Sequence, residues 1–319
     1  MANNNSTPSL VFFGTPEFAR YCLNSLVVAG FSVKAVVTAP ERKAGRGKKL
    51  TPSVVKQYAI AQEIPVLQPT HLKDPLFIEA LHAVQAELFV VVAFRMLPRV
   101  VWNLPPLGTI NLHASLLPNY RGAAPINWVL INGEKETGVS TFLIDESIDS
   151  GAILQTRILP ISDKDNFGTL HDKLLQLGAP LLKETLLGLK AGTLIPQNQK
   201  ESEFLNPAPK LTAVNTQIVW TNTLAQIVNQ VRGLNPHPGA WTLLTNGGQE
   251  YRIKLYQVEP LYEKSQHDIG RVVIQANQLL IATEEGYLRC IEIQFPNKKR
   301  MPVKDLLNGL KLGAEAFVR

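Results

Sequence analysis

Short β-branched and aromatic runs alternate with longer amphipathic stretches through the first 190 residues of the chain. That alternation is what βαβ units around a mostly parallel sheet require, because helices must cover both faces of such a sheet. The pattern predicts strands at residues 10–13, 33–38, 65–67, 88–93, 109–113, 139–144 and 153–161. Helices are expected at 16–29, opened by Pro16, at 52–62, near 124–132 and near 168–190. In the last of these Leu170, Leu174, Leu177 and Leu181 recur at the helical period, Gly192 follows its end, and Pro180 predicts a kink. Residues 192–207 then turn to Thr, Pro, Gln, Asn and Ser without apolar period, the composition of a linker. Beyond it, a helix at 223–232 precedes five strand-like runs near 240–244, 252–258, 270–274, 279–283 and 288–294, with a closing helix at 303–311. Such spacing fits a small β-barrel. The expected organisation is therefore a Rossmann-like α/β domain over 1–191, a linker over 192–207 and a barrel-like domain over 208–319.

Charge sharpens this division. The 319 residues hold 32 Lys and Arg against 26 Asp and Glu, a net +6. Residues 206–319 carry 13 basic against 9 acidic side chains, or +4. The segment 40–51 alone carries Arg42, Lys43, Arg46, Lys48 and Lys49 against Glu41, another +4. Positive charge gathered in one loop and one domain suggests an anionic partner. The two cysteines, Cys22 and Cys290, form neither a disulfide framework nor a zinc motif, so no metal is expected and a reducing, cytoplasmic setting fits. The polar, Asn-rich start lacks the features of a signal peptide, and no apolar run approaches the roughly 20 residues of a membrane span. No membrane partner is expected, and with no exposed apolar stripe calling for a dimer, neither is self-association: a monomer is expected.

Several nucleotide-binding classes are disfavoured by local detail. The first βα turn, Gly14–Thr15–Pro16, has one glycine where a dinucleotide-binding turn needs three. The loop from Gly45 to Lys49 lacks the first glycine and the Ser/Thr of a triphosphate-binding loop. Residues 109–118 are more informative. On a strand, Asn111 and His113 share a face, near the carboxyl end where open α/β sheets bind ligands. An amide can hydrogen-bond a developing oxyanion, and an imidazole can move protons near neutral pH. The loop after the next strand, 146–151, brings Asp149 toward the same end, although an Asp-x-Gly turn also occurs for turn geometry alone.

Taken together, Gly14–Thr15–Pro16–Glu17–Phe18, the Gly-Arg-Gly-Lys-Lys-Leu loop at 45–50, the Asn-Leu-His-Ala-Ser-Leu-Leu-Pro run at 111–118, residues 120–126 and Ile148–Asp149–Ser150–Gly151 resemble, in order, the methionyl-tRNA formyltransferases. The Asn-x-His and later Asp-x-Gly are shared with glycinamide ribonucleotide and amino-sugar formyltransferases; the basic loop and appended basic domain are what point to tRNA. The resemblance implies transfer of a formyl group from 10-formyltetrahydrofolate to methionyl-initiator tRNA, and an OB-like second domain that binds the tRNA backbone. It implies Asn111, His113 and Asp149 as catalytic residues. Ser115, Leu116, Leu117 and Pro118, with Phe94 and Leu97 in the pterin slot, would contact the folate. Arg42, Lys43, Arg46, Lys48 and Lys49 would contact tRNA. Arg95 stands where such enzymes often have glycine, which bears on the shape of the pterin wall.

Overall fold

The computed structural model describes residues 7–44, 49–200 and 205–319. Its Cα packing separates two units: Met1–Gly122 with Thr137–Pro160 and His171–Pro207, and Ala123–Glu136 with Ile161–Leu170 and Ala208–Arg319. Through residue 190 the elements are β1 (Leu10–Gly14), α1 (Glu17–Val28), β2 (Val33–Val37), β3 (Arg42–Ala44), β4 (Lys49–Thr51), α2 (Val54–Ala61), β5 (Val66–Leu67), α3 (Pro75–Val84), β6 (Leu88–Val92), α4 (Arg99–Trp102), β7 (Thr109–His113), α5 (Pro125–Ile131), β8 (Glu136–Leu143), β9 (Ile153–Pro160) and α6 (Phe167–Lys190).

In the first unit seven strands lie in the order β5-β2-β1-β6-β7-β8-β9. The pairs β2–β5, β1–β2, β1–β6 and β6–β7 are parallel, and β8 runs antiparallel to β7. Leu143 donates its N–H to the Ala152 carbonyl, and a Cβ at Gly138 would meet the Arg157 carbonyl, so β8 and β9 also run antiparallel. Every residue of β1 and β6 is buried, which explains why these strands read as unbroken apolar runs rather than alternating ones. One face of this sheet packs Phe13, Phe89, Val11 and Val91 against Phe77 and Leu81 of α3. Each such side chain contributes about 1.5–3 kcal/mol through burial. Cys22 is sequestered on α1, and burial pushes its thiol up to about 12, so it serves packing and not thiolate chemistry.

The regular elements expected from the pattern are present, with ends shifted by a few residues. The hairpin β3–β4 and the helices α3 and α4 were not anticipated. For α3 the start signal existed locally: Asp74 accepts the Leu76 N–H at 3.0 Å and Pro75 occupies the first turn. Only Phe77 and Leu81 of its ten residues are fully buried, too thin a stripe to register as periodicity.

The second unit is built from α7 (Leu224–Leu234), β10 (Ala240–Asn246), β11 (Gln249–Leu261), β12 (Val272–Gln275), β13 (Gln278–Thr283), β14 (Gly286–Gln294), β15 (Met301–Pro302), α8 (Val303–Leu307) and β16 (Phe317–Val318). The strand order is β12-β13-β14-β11-β10-β16, with antiparallel pairs throughout. The short β16 nearly closes this sheet into a barrel. It pairs with β10 on one side, while on the other the Val318 N–H reaches the Gly270 carbonyl at 2.8 Å and the Val272 N–H reaches Ala316 at 3.0 Å. A capping box between Thr223 and Gln226 starts α7, and Leu224, Ile227, Val231 and Leu234 of that helix enter the barrel core. Against α7 lies α5, where Asn127 donates to the Gly233 carbonyl at 2.7 Å. The last helix ends at Leu307, short of the expected 311, because the chain turns at Asn308 and Gly309. Among the described residues no helix is long and apolar enough to cross a membrane.

Closure by β16 leaves no room at Gly270, which has φ +87° and whose added Cβ would lie 2.4 Å from the Val318 carbonyl. Gly270→Ala is expected to lower stability by about 2–4 kcal/mol, from left-handed strain plus overpacking, as read from the denaturant midpoint.

Candidate active site

Parallel strands β1, β6 and β7 bring Gly14, Val92 and His113 to one edge of the first sheet. The chain leaves β1 toward β2 on one side and β6 on the other, so a crevice is expected outside these carboxyl ends. On β7 the register pairs Asn111 with Phe142 and His113 with Ser140 of β8. Directly paired residues share a face, so Asn111, His113, Ser140 and Phe142 belong to one patch. The rings of His113 and Phe142 meet edge-on, 6.5 Å between centroids. Asn111 is half-buried and His113 is buried.

The imidazole of His113 is oriented at both nitrogens. Its Nε2 lies 2.8 Å from the Tyr120 carbonyl oxygen, an acceptor, so this nitrogen carries the proton. Its Nδ1 faces the Asp149 carboxylate at 3.7 Å, too long for a direct hydrogen bond. That same Asp149 Oδ2 accepts the Gly122 N–H at 2.9 Å. Tyr120, Gly122 and Asp149 thus frame the ring from two loops. The Asp149 backbone is left-handed, with φ +52°, and the tight turn beyond it ends at Gly151, whose Cβ position is filled by the Leu143 carbonyl 1.7 Å away. Asp145 holds this turn from the other side, accepting from the Ser147 N–H at 3.0 Å and the Ser150 hydroxyl at 2.7 Å.

The run after β7 is tied down as tightly. Ser140 donates its hydroxyl to the Ser115 carbonyl at 2.7 Å and accepts the Leu117 N–H at 3.2 Å. The Ser115 hydroxyl, fully buried, donates to the Asn119 carbonyl at 2.7 Å, so this side chain shapes its own turn. Leu117 is buried, while Leu116 and Pro118 are half-buried. At the end of β6, Phe94 packs edge-on against Phe13 at 5.8 Å and Leu97 sinks into the same apolar cluster. Arg95 folds back over the Phe94 ring, its guanidinium carbon 5.3 Å from the ring centre, and donates to the Pro69 and Thr70 carbonyls at 2.7 and 3.0 Å. Desolvation, with Arg42 as a second positive charge nearby, holds the Arg95 guanidinium below its ordinary pKa.

Among the basic residues, Arg42 is exposed on β3, and Lys43 and Lys49 lie on the β3–β4 hairpin. Arg46 and Lys48 lie outside the described residues. Sequence reasoning did not single out Ser140, Tyr120, Gly122 or Gln199 as site residues. Ser140 alone had a local signal, since it alternates with Phe142 on a strand already expected.

The chain matches the formyl transferase family model over residues 9–186 and the model for the formyl transferase C-terminal domain over 210–311. Solved structures share the fold. HypX from Aquifex aeolicus, in complex with tetrahydrofolic acid, superposes with a TM-score of 0.64 at 17% identity, over 95% of this chain and 47% of its own. An N-formyltransferase from Helicobacter canadensis, in complex with folinic acid and dTDP-3-aminofucose, gives 0.63 at 20% identity, over 90% of this chain and 99% of its own. The family models, with the shared fold, therefore define a formyl-group transferase. Nearer relatives are the methionyl-tRNA formyltransferases of Parabacteroides distasonis, 47% identical over 97% of this chain and 98% of that protein, and Flavobacterium johnsoniae, 45% identical over the same shares. The chain belongs to the methionyl-tRNA formyltransferase family.

Because Ser140 satisfies two backbone groups of the 115–117 loop, Ser140→Ala is expected to cost about 1–3 kcal/mol, measured by chemical denaturation.

Proposed function

We infer that the protein transfers the formyl group of 10-formyltetrahydrofolate to the α-amino group of methionine esterified to initiator tRNA, giving formylmethionyl-tRNA for translation initiation. The observation that carries this reading is the convergence of Asn111, His113 and Asp149 at the end of β7, in a chain of this family. Acyl transfer to an amine passes through a tetrahedral state whose oxygen takes up negative charge. The Asn111 amide, half-buried on the strand beside His113, is suited to donate to that oxygen. His113 supplies a polarising group beside it, held in place by the Tyr120 carbonyl. Asp149 orients His113, or a water that carries the proton from the attacking amine to the departing nitrogen. No strong base is needed, since an α-amino group with a pKa near 8 is partly neutral at cytoplasmic pH.

A flat heterocycle suits the apolar wall built by Phe94 and Leu97, and residues 115–118 are assigned to folate contact beside it. The folate is written here as a co-substrate, and no metal is invoked. Residues 1–191 are assigned to catalysis, 192–207 to the connection, and 208–319 to holding tRNA through their net +4 charge. Arg42, with Lys43, Arg46, Lys48 and Lys49 of the basic loop, is assigned to phosphates near the acceptor end, where a planar guanidinium can bind in two places. The protein would act as a monomer in the cytoplasm, where translation consumes its product.

The test is transfer of labelled formyl to charged initiator tRNA, with uncharged tRNA and free methionine as controls. Asn111→Ala should lower kcat by about 100- to 1,000-fold, and His113→Ala and Asp149→Ala should abolish measurable turnover while tRNA binding persists. Near-wild-type turnover in all three variants would sink the assignment. Arg42→Ala should instead raise the KM for tRNA and reduce the slope of log KM against log salt by about one unit, read from kinetics at several salt concentrations.

A further inference from the structure

Residues 192–207 have the composition of a linker, yet part of the segment is bonded to the catalytic loops. Ile153 and Gln197 exchange backbone hydrogen bonds at 2.8 Å, and the Asn206 carbonyl accepts the Tyr120 N–H at 2.6 Å. Between these two anchor points, Gln199 uses its whole side-chain amide on the turn and loop that frame His113. Its Nε2 donates to the carbonyls of both Asp149 and Gly151, at 2.8 Å each. Its Oε1 accepts from Nε and Nη2 of Arg121, at 3.0 and 2.6 Å. Only this orientation of the amide works, because a flipped group would set donors against a guanidinium and an oxygen against two carbonyls.

The geometry matters because of what it holds. Asp149 is a non-glycine residue in a left-handed conformation, and such residues keep it only where their surroundings over-determine the backbone. Two carbonyls of its turn converge on one amide nitrogen, which fixes the 149–150 and 151–152 peptide planes. Arg121 stands next to Gly122, whose N–H binds the Asp149 carboxylate. Gln199 therefore ties the carboxylate's own backbone to the loop that receives the carboxylate. It lies outside both stretches matched by the family models, which end at residue 186 and resume at 210.

We propose that Gln199 is a positioning residue for formyl transfer, clamping the Asp149 turn to the 120–122 loop so that the carboxylate stays opposite His113. The proposal rests on the assignment of Asp149 to catalysis. Two substitutions divide the functions of the amide. Gln199→Leu removes every bond, whereas Gln199→Glu keeps an acceptor for Arg121 and loses both donors to the turn. Each is expected to lower kcat by about 10- to 100-fold, while KM for folate and for charged tRNA stays within about twofold. Circular dichroism and thermal melting establish that the variants are folded. In an Asp149→Asn background, adding Gln199→Leu should cause no further loss, because there is no carboxylate left to position.

Wild-type kcat in Gln199→Glu would overturn the proposal, as would a full multiplicative loss in the double variant. If Asp149→Asn is severely impaired while Gln199→Leu turns over normally, only this proposal fails. If Asp149→Asn itself turns over normally, the catalytic assignment fails and takes the proposal with it.

Discussion

The Asp149 carboxylate accepts the Gly122 N–H at 2.9 Å and stands 3.7 Å from His113 Nδ1, and the surrounding loops of the first unit are arranged around meeting those two demands. A carboxylate only about one-seventh exposed loses most of its hydration, and the Gly122 N–H replaces part of the lost water while the His113 ring stands beside it. Three segments must converge to supply them: the end of β7, the loop after it, and the turn between β8 and β9. Each is held by bonds that cross long stretches of chain. Ser140 secures the first part of the 115–122 loop, and Gln199 bridges its later part to the Asp149 turn.

Strand direction explains why this edge can carry the chemistry. The parallel strands β1, β6 and β7 end together, and β8, added antiparallel, runs back along β7 so that Ser140 and Phe142 face the same patch as His113 and Asn111. An antiparallel neighbour lets a tight turn return to the site, which a parallel one, needing a crossover, would not. The left-handed residue at Asp149 and the close approach of Gly151 to the Leu143 carbonyl are the local costs of that sharp return. Both are offset by the hydrogen bonds of Asp145 and Gln199 to the same turn.

Arg95 illustrates how a cation is accommodated beside an apolar cluster. A cation placed beside an apolar slot would be costly if it pointed inward unpaired. Here it lies over the Phe94 ring and spends its terminal donors on the carbonyls of Pro69 and Thr70. These bonds tie the 69–70 segment to the chain just beyond β6. In the other unit the barrel core is apolar and its closure depends on a two-residue strand, β16, whose backbone serves both neighbouring edges.

Local pattern was sufficient for what depends on local periodicity. The buried runs of β1, β6 and β7, the long helix α6 and the β-rich second half are visible in the chain because side-chain period reports which faces are covered. Period two on β7 likewise places Asn111 and His113 together without any tertiary information. The hairpin β3–β4 escaped because three-residue strands, Arg-Lys-Ala and Lys-Leu-Thr, carry too little period, and α3 because only two of its residues form a buried stripe. Tertiary structure alone decided that Ser140 holds the 115–117 loop, that Tyr120 and Gly122 receive His113 and Asp149, and that a Gln in a linker-like stretch grips the Asp149 turn. The partners of Gln199 are 48, 50 and 78 residues distant, and a hydrogen bond across such a separation leaves no mark on the spacing or composition around either end.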